Sequence, residues 1–195
     1  MPIGNYVIWS SLSAQGGSMK KYYIERALFI VGEQNSGKSK QLRSMFTDYR
    51  LYGNIPDQKK LHATFTIGNK RDLYVRMTSP HEYGESPTEF HKKIEDAIDG
   101  GRWCIASPMQ PSAYKQMPGI VDSVCLFSKH FSPERIRVCF IFPDNATENS
   151  PQVNNTPAIS YIQDLWNIPN VECAYIDARS KTHNGLFYAD FFDFS

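Results

Sequence analysis

The chain has 195 residues and a mass of 22.3 kDa, with 41% hydrophobic and 21% charged residues, which is typical of one domain with a continuous core. Twenty-one Lys and Arg residues balance 20 Asp and Glu residues. The resulting net charge of +1 argues against a dedicated nucleic-acid-binding protein, so nucleic acid is not indicated as a partner. No apolar run reaches the roughly 18 to 20 residues that a membrane-spanning helix needs, so we predict no membrane span.

The cysteines and the N-terminal segment bear on the compartment and on the domain boundary. The 4 cysteines are widely spaced and form no C-x-x-C pair, which predicts free thiols in a reducing compartment. The first residues lack the basic start and apolar core of a signal peptide, so we predict a cytoplasmic protein. Residues 1–18 form either an N-terminal extension or an edge strand, and residues 19–195 form the domain itself.

Strand and helix patterns alternate along the first half of the chain. The apolar run 27–31 predicts a strand buried on both faces, and Leu42, Met45 and Phe46 predict one face of a helix that follows it. Residues 62–67 and 73–77 flank a loop containing Gly and Asn, which predicts an antiparallel hairpin.

The second half continues the alternation. Ser86 is predicted to cap a helix that has Pro87 at its first position and Glu89 in a capping box. Another helix is predicted to open at Thr156 and Pro157. Further strands are predicted at residues 103–106, 136–142 and 171–176. This order predicts an α/β fold with a mainly parallel central sheet, one antiparallel hairpin strand and helices on both faces.

One motif carries chemistry. The run Gly32-Glu33-Gln34-Asn35-Ser36-Gly37-Lys38-Ser39 fits the Walker A pattern G-x-x-x-x-G-K-[ST] at every defined position, between a predicted strand and a predicted helix. Glycines let the backbone wrap closely around a phosphate, and successive N–H groups then supply positive charge. Lys38 is expected to reach the β and γ phosphates, and the Ser39 hydroxyl is expected to coordinate Mg²⁺.

The predicted nucleotide site extends beyond the two side chains that carry the chemistry. Its residues are expected to be Gly32, Gln34, Asn35, Ser36, Gly37, Lys38, Ser39, Lys40, Asp144 and Lys181. The pattern identifies the chain as a P-loop NTPase and predicts the three-layer α/β sandwich of that class.

The order of elements resembles that of the Ras-like small GTPases over roughly residues 24–185. The resemblance implies that a D-x-x-G-Q motif should end the second hairpin strand, and the matching stretch here reads Thr78-Ser79-Pro80-His81-Glu82. Glu82 stands where the family has the Gln that orients the attacking water. Glu82 either orients or deprotonates a water, with His81 assisting, or both are solvated loop residues.

The resemblance does not determine which nucleotide base the protein binds. The guanine-reading N-K-x-D motif is absent after the predicted strand 136–142, where Asp144 follows. The letters N-K-x-D occur at residues 69–72, but that position is the predicted hairpin turn. Residues 177–181 resemble the family's S-A-K loop, which implies that Lys181 stacks on a base. ATP and GTP therefore remain equally acceptable ligands.

Two clusters have ordinary explanations and functional ones. Five Phe and Tyr residues lie between 186 and 194; they either cover the sheet or form a surface for a protein partner or a homo-oligomer. The His and Glu residues between 81 and 95 have the residue types of a zinc or manganese site, but capping explains Glu89, and His91 with Glu95 fits a solvated helix pair.

Three functions follow from these observations. The first is Mg²⁺-dependent hydrolysis of ATP or GTP coupled to a conformational or partner-binding switch, with Lys38 and Glu82 as catalytic residues. The second is a small phosphotransferase, which would need an Arg-rich lid that the sequence does not display. The third is a non-hydrolysing, nucleotide-bound interaction module.

Overall fold

A computed structural model describes residues 22–51, 62–142, 159–179 and 181–193. Within these ranges, the strands are β1 (Tyr22–Val31), β2 (His62–Ile67), β3 (Arg71–Arg76), β4 (Gly101–Met109), β5 (Arg135–Ile141) and β6 (Val171–Ile176). The helices are α1 (Lys38–Ser44), α2 (Pro80–Tyr83), α3 (Pro87–Ala97), α4 (Ile120–Phe131), α5 (Ile159–Trp166) and α6 (Lys181–Phe191). Two short 3-10 helices, Met45–Thr47 and Tyr49–Leu51, follow α1.

The strands form one six-stranded mixed sheet in the order β2-β3-β4-β1-β5-β6. β2 is antiparallel to β3, and every other neighbouring pair is parallel. The predicted α/β class, the mainly parallel sheet and the antiparallel hairpin are therefore confirmed. The strand order itself was not predicted: β4 lies between β1 and β3, so β1 pairs with β4 and β5.

Helices cover both faces of the sheet, which gives the arrangement three layers. Alternate residues of β1 enter opposite cores, as the period of two in a strand requires. Phe29 packs in the core that includes Phe90 of α3 and Phe127 of α4. Leu28 packs in the other core, which includes Leu42 of α1 and Tyr188 of α6. β1 is thus buried on both faces, and the loop that follows it starts from the middle of the sheet.

The predicted capping box of α3 is confirmed. The Ser86 backbone N–H donates to Glu89 Oε2 at 2.8 Å, and the Glu89 N–H donates back to Ser86 Oγ at 3.3 Å. The turn before α3 is more ordered than a loop, because Pro80 starts the single helical turn α2 and Gly84 ends it with a left-handed φ of 71°.

The aromatic C-terminal segment is an integral part of the core. Tyr188, Phe191 and Phe192 are buried, and α6 packs against α1 so closely that a Cβ added to Gly185 would lie 2.3 Å from the Ser44 carbonyl oxygen. These three rings therefore cover the sheet, which was the first of the two predicted roles, and they form no exposed surface for a partner. Phe194 lies outside the described residues.

Several other predictions fall on this fold. All four cysteines are free, and Cys104 and Cys139 are buried. Within the part of the chain that the structure describes, no helix has the length and apolar character needed to cross a membrane. Residues 1–18, Asp144 and the predicted helix start at Thr156 and Pro157 lie outside the described ranges.

Candidate phosphate-binding site

The segment between β1 and α1 turns sharply at the carboxyl edge of the sheet. The Gly32 N–H donates to the Met109 carbonyl at 3.3 Å, which fixes the start of the loop to the end of β4. Asn35 and Gly37 have left-handed φ values of 65° and 90°. Gly37 is also the N-cap of α1, and no described side chain caps this helix. The motif residues therefore form a tight loop whose first helical N–H groups are free for other acceptors.

Glycine is required at position 32 by the close approach of Ser36. A Cβ added to Gly32 would lie 2.4 Å from Ser36 Oγ and 3.2 Å from Ser36 Cβ. The Ser36 side chain is buried, and its Oγ has no hydrogen-bond partner among the described residues. The absence of a side chain at Gly32 therefore allows the buried Ser36 side chain to pack against the start of the loop.

Lys38 folds back over the loop instead of extending into solvent. Lys38 is 4% exposed, and its Nζ donates to the Glu33 carbonyl oxygen at 2.6 Å. The Glu82 carboxylate Oε1 lies 3.7 Å from the same Nζ. Burial lowers the pKa of Lys38, and the negative charges of Glu82 and Glu33 partly oppose that effect. The loop thus presents a desolvated ammonium.

Ser39 is the residue expected to bind Mg²⁺. Its Oγ donates to the Met77 carbonyl at 2.7 Å, just beyond the end of β3. The hydroxyl oxygen keeps its lone pairs, so this bond does not remove its capacity to coordinate a cation. Among the described residues, no group of three or more His, Cys, Asp or Glu side chains is arranged to hold a metal ion.

A cavity of about 410 Å³ opens beside the loop. Its lining comes from the loop, the outer face of α1 and the segment after β3: Asn35, Gly37, Lys38, Ser39, Lys40, Arg43, Met77, Thr78 and Glu82. Three of these side chains are cationic and one is a carboxylate, so the lining carries an excess of positive charge.

Arg43 is the site residue that the sequence analysis missed. It lies on the same face of α1 as Ser39 and Lys40, because residues three and four apart on a helix are neighbours. That spacing from the motif is the signal that could have found it. Arg43 lines the cavity, and its buried Nε has no acceptor among the described residues.

His81 and Glu82 belong to the single turn α2, but they face different surroundings. His81 is fully buried, and its Nε2 lies 2.9 Å from the Pro118 carbonyl. Its Nδ1 lies 3.2 Å from Ser79 Oγ and 3.4 Å from the Gln110 backbone N–H. Burial lowers the pKa of His81 to about 4. Both ring nitrogens are engaged, so the description of His81 as a solvated loop residue is wrong, and the ring anchors α2.

The structure gathers only some of the predicted nucleotide-binding residues. Asn35, Gly37, Lys38, Ser39, Lys40 and Glu82 line the cavity, and Gly32 and Ser36 support it. Gln34 is exposed and is not part of the lining. Asp144 lies outside the described residues. Lys181 begins α6 after the β6 strand, and its side chain also lies outside the description.

The remaining sequence features have structural explanations. Residues 69 and 70 take left-handed φ values in the β2–β3 turn, so the N-K-x-D letters form that hairpin turn, as predicted. This turn precedes β3, at the opposite edge of the sheet from the cavity. In the second cluster, His91 is buried and stacks on His130 with ring centres 4.6 Å apart, while Glu95 accepts from Tyr22. His91 and Glu95 are therefore not the solvated pair that the spacing predicted.

The fold and the cavity define an α/β protein with a cationic cavity at the carboxyl edge of a mostly parallel sheet. No protein-family model, curated protein or solved structure matches this chain.

Proposed function

We propose that the protein is a P-loop NTPase that binds a nucleoside triphosphate and hydrolyses it with Mg²⁺. The observation that carries the proposal is the buried Lys38 ammonium, which is held over the loop at a cavity whose lining has two further cations, Lys40 and Arg43. Desolvated cations and free backbone N–H groups are what a phosphate chain requires.

The residues at the cavity have separate roles in this proposal. Lys38 binds the β and γ phosphates, and Lys40 and Arg43 neutralise charge along the α1 side. Glu82 accepts a proton from the attacking water as the water oxygen bonds to the γ phosphorus. The bond from that phosphorus to the β,γ-bridging oxygen breaks, so the products are the nucleoside diphosphate and inorganic phosphate.

The oxygen donors of the site fit Mg²⁺, which prefers hard oxygen ligands. Ser39 Oγ lines the cavity and is the side chain that would hold the ion. When bound, Mg²⁺ supplies charge neutralisation at the phosphate oxygens. Asp144 and Lys181 remain the proposed contacts to the base, which is that of ATP or GTP.

The proposed consequence of turnover is a conformational or partner-binding switch. A protein partner or a second copy of the chain would have to use surfaces other than Tyr188, Phe191 and Phe192, because these rings are buried. Leu186 on α6 is 44% exposed and remains available for such a contact. The cytoplasmic location stays a prediction.

A non-hydrolysing nucleotide-bound module is the second candidate. The observation that favours it is the short supply of catalytic groups: Glu82 is the one carboxylate in the described lining, and it already pairs with Lys38. The phosphotransferase alternative has no comparable observation in its favour.

Nucleotide retention and turnover distinguish these candidates. The purified protein is denatured, any released nucleotide is identified, and phosphate release from ATP and from GTP with Mg²⁺ is compared for wild type, Lys38→Ala and Lys92→Ala. Lys92 is a matched control because it is an exposed lysine that pairs with Asp96 on α3. Lys38-dependent phosphate release is the expected result. Binding without release supports the interaction module, and the absence of any binding overturns the nucleotide site.

A further inference from the structure

Lys38 and Glu82 form an ion pair of unequal exposure inside the proposed phosphate cavity. The side chain of Lys38 is 4% exposed, whereas that of Glu82 is 32% exposed. A buried ammonium requires an anion or several hydrogen-bond acceptors nearby. Lys38 Nζ donates to the Glu33 carbonyl, and the described anion beside it is the Glu82 carboxylate at 3.7 Å. Glu82 therefore acts as the counter-ion of Lys38.

The backbone of Glu82 is held firmly, while its side chain lines the cavity and is partly exposed. His81 anchors α2 through both ring nitrogens, and Gly84 ends the turn. Lys115 Nζ donates to the Glu82 carbonyl oxygen at 3.3 Å. Because the peptide is fixed from both sides, rotation of the side chain is the simplest motion that takes the carboxylate away from Lys38.

We propose that Glu82 is a built-in competitor for the phosphate ligand, whose carboxylate must leave Lys38 before a phosphate group can pair with that ammonium. This inference rests on the proposed phosphate site and describes its regulation. Two anions cannot share one partly desolvated ammonium without mutual repulsion. Ligand binding therefore exchanges one ion pair for another, and affinity is lower than the cations alone would provide.

The same exchange links occupancy of the site to the position of Glu82. Phosphate binding releases the carboxylate at the cavity mouth, beside the group that has displaced it. A proton acceptor thus becomes available when a phosphate group is bound, and is neutralised by Lys38 otherwise. The competition accordingly limits the affinity for phosphate. It also makes Glu82 available as a proton acceptor only when a phosphate group is bound.

A double-mutant cycle measures the competition. The variants are Glu82→Gln, Lys38→Met and the two combined, with Asp96→Asn as a remote control that removes one negative charge from the exposed Lys92 pair. Affinity is measured calorimetrically for inorganic tripolyphosphate and for ATP and GTP, all in EDTA. Without Mg²⁺, an indirect effect of Glu82→Gln on metal binding cannot obscure the gain that is expected from removing the competitor.

We expect Glu82→Gln to bind tripolyphosphate about three- to fivefold more tightly than wild type, which is the upper part of the range for a partly exposed ion pair. In the Lys38→Met background the same substitution should change affinity by less than about twofold, and Asp96→Asn should match wild type. Equal or weaker binding by Glu82→Gln, or an equal gain in both backgrounds, overturns the competition.

Thermal unfolding without ligand gives a second measurement. Glu82→Gln should unfold at a lower temperature than wild type because it leaves the Lys38 charge without its counter-ion, and Lys38→Met should restore stability in the combined variant. A melting temperature unchanged by Glu82→Gln contradicts the ion pair. If wild type binds no tripolyphosphate or nucleotide, the phosphate site itself fails. If wild type binds and Glu82→Gln gains nothing, the competition alone fails.

Discussion

Asn184 in the last helix donates from Nδ2 to the side-chain Oε1 of Gln41 in α1, at 2.9 Å. The same Nδ2 donates to the Asp177 carbonyl at 2.6 Å, and Gln41 Nε2 donates to the Ala178 carbonyl at 2.6 Å. Asn184 and Gln41 are both buried. These bonds fix the turn after β6 against the helix that follows the proposed phosphate loop, so the two parts of the proposed nucleotide site cannot shift independently.

Gln41→Leu should lower the free energy of unfolding by about 1–3 kcal/mol, because it leaves the Ala178 carbonyl and one Asn184 N–H without buried partners. Asn184→Leu should have a similar effect. The double variant should lose less free energy of unfolding than the sum of the two single losses, since both substitutions remove the same hydrogen bond. Urea unfolding measures these differences. Gln116→Leu is the control, because Gln116 is exposed, and a loss there as large as in Gln41→Leu would contradict the network.

Gly32→Ala should disrupt phosphate binding, because the new Cβ would displace Ser36 and with it the loop. Adding Ser36→Gly removes the two atoms that lie too close to the Cβ and leaves Lys38 Cγ at an ordinary contact distance of 3.5 Å, so the double variant should regain most of the affinity for tripolyphosphate.

Gly101→Ala is the contrasting variant for this experiment. Its Cβ would meet nothing within 4 Å, but its φ is +71°. It should therefore cost about 1 kcal/mol of stability through backbone strain and leave phosphate affinity unchanged. Unimpaired binding by Gly32→Ala would contradict the steric role of position 32.

Arg43→Gln should weaken nucleotide binding about three- to tenfold while stability changes little, because the guanidinium lines the cavity and its Nε has no described acceptor. The effect should shrink at high salt, which screens the interaction. Fluorescence titration with a labelled nucleotide at two salt concentrations checks both expectations. Lys129→Gln is the control, as this exposed residue lies in the last turn of α4; equal weakening there would indicate a general charge effect.

Stability should fall as the pH is lowered from about 6.5 to about 4, partly because of His91. Burial lowers the pKa of His91 from its ordinary value to about 4, and the charge of neighbouring His130 adds to this effect. In that interval the unfolded chain binds a proton that the folded chain does not. Each such histidine therefore lowers the free energy of unfolding by up to about 1.4 kcal/mol for each pH unit of acidification.

The variant His91→Phe tests this assignment, because it keeps an aromatic ring against His130 and Phe131 and removes the titrating group. Urea unfolding at several pH values should give a shallower slope between pH 6.5 and 4 than wild type. His81, whose pKa is also lowered to about 4, keeps part of the slope in the variant. An unchanged slope would show that His91 does not contribute.

Local signals made part of this molecule predictable. The capping box at Ser86 and the turn at Asn69 depend on residues within a few positions, so their patterns can be recognised directly. The glycine and lysine spacing of the loop is equally local. In the structure this segment is a tight turn in which Lys38 is buried.

Features that depend on distant parts of the chain were not predictable. The stacking of His91 on His130 requires α3 and α4 to lie side by side, and neither histidine's neighbours in sequence reveal this. The buried position of His81 depends on Pro118 and Gln110. The place of β4 between β1 and β3 likewise follows from packing of the whole sheet. An order with β3 directly beside β1 would suit the same alternation of strands and helices, so the sequence pattern does not distinguish the two.

The position of β1 also has a consequence for how the chain folds during synthesis. Leu28 pairs with Ala106 of β4 and with Arg137 of β5, so this strand emerges from the ribosome long before either neighbour. Such distant pairings make folding slow and leave apolar segments open to aggregation in the meantime. The nascent chain should therefore resist proteolysis only after β5 has emerged, and β1 should be its most vulnerable part until then.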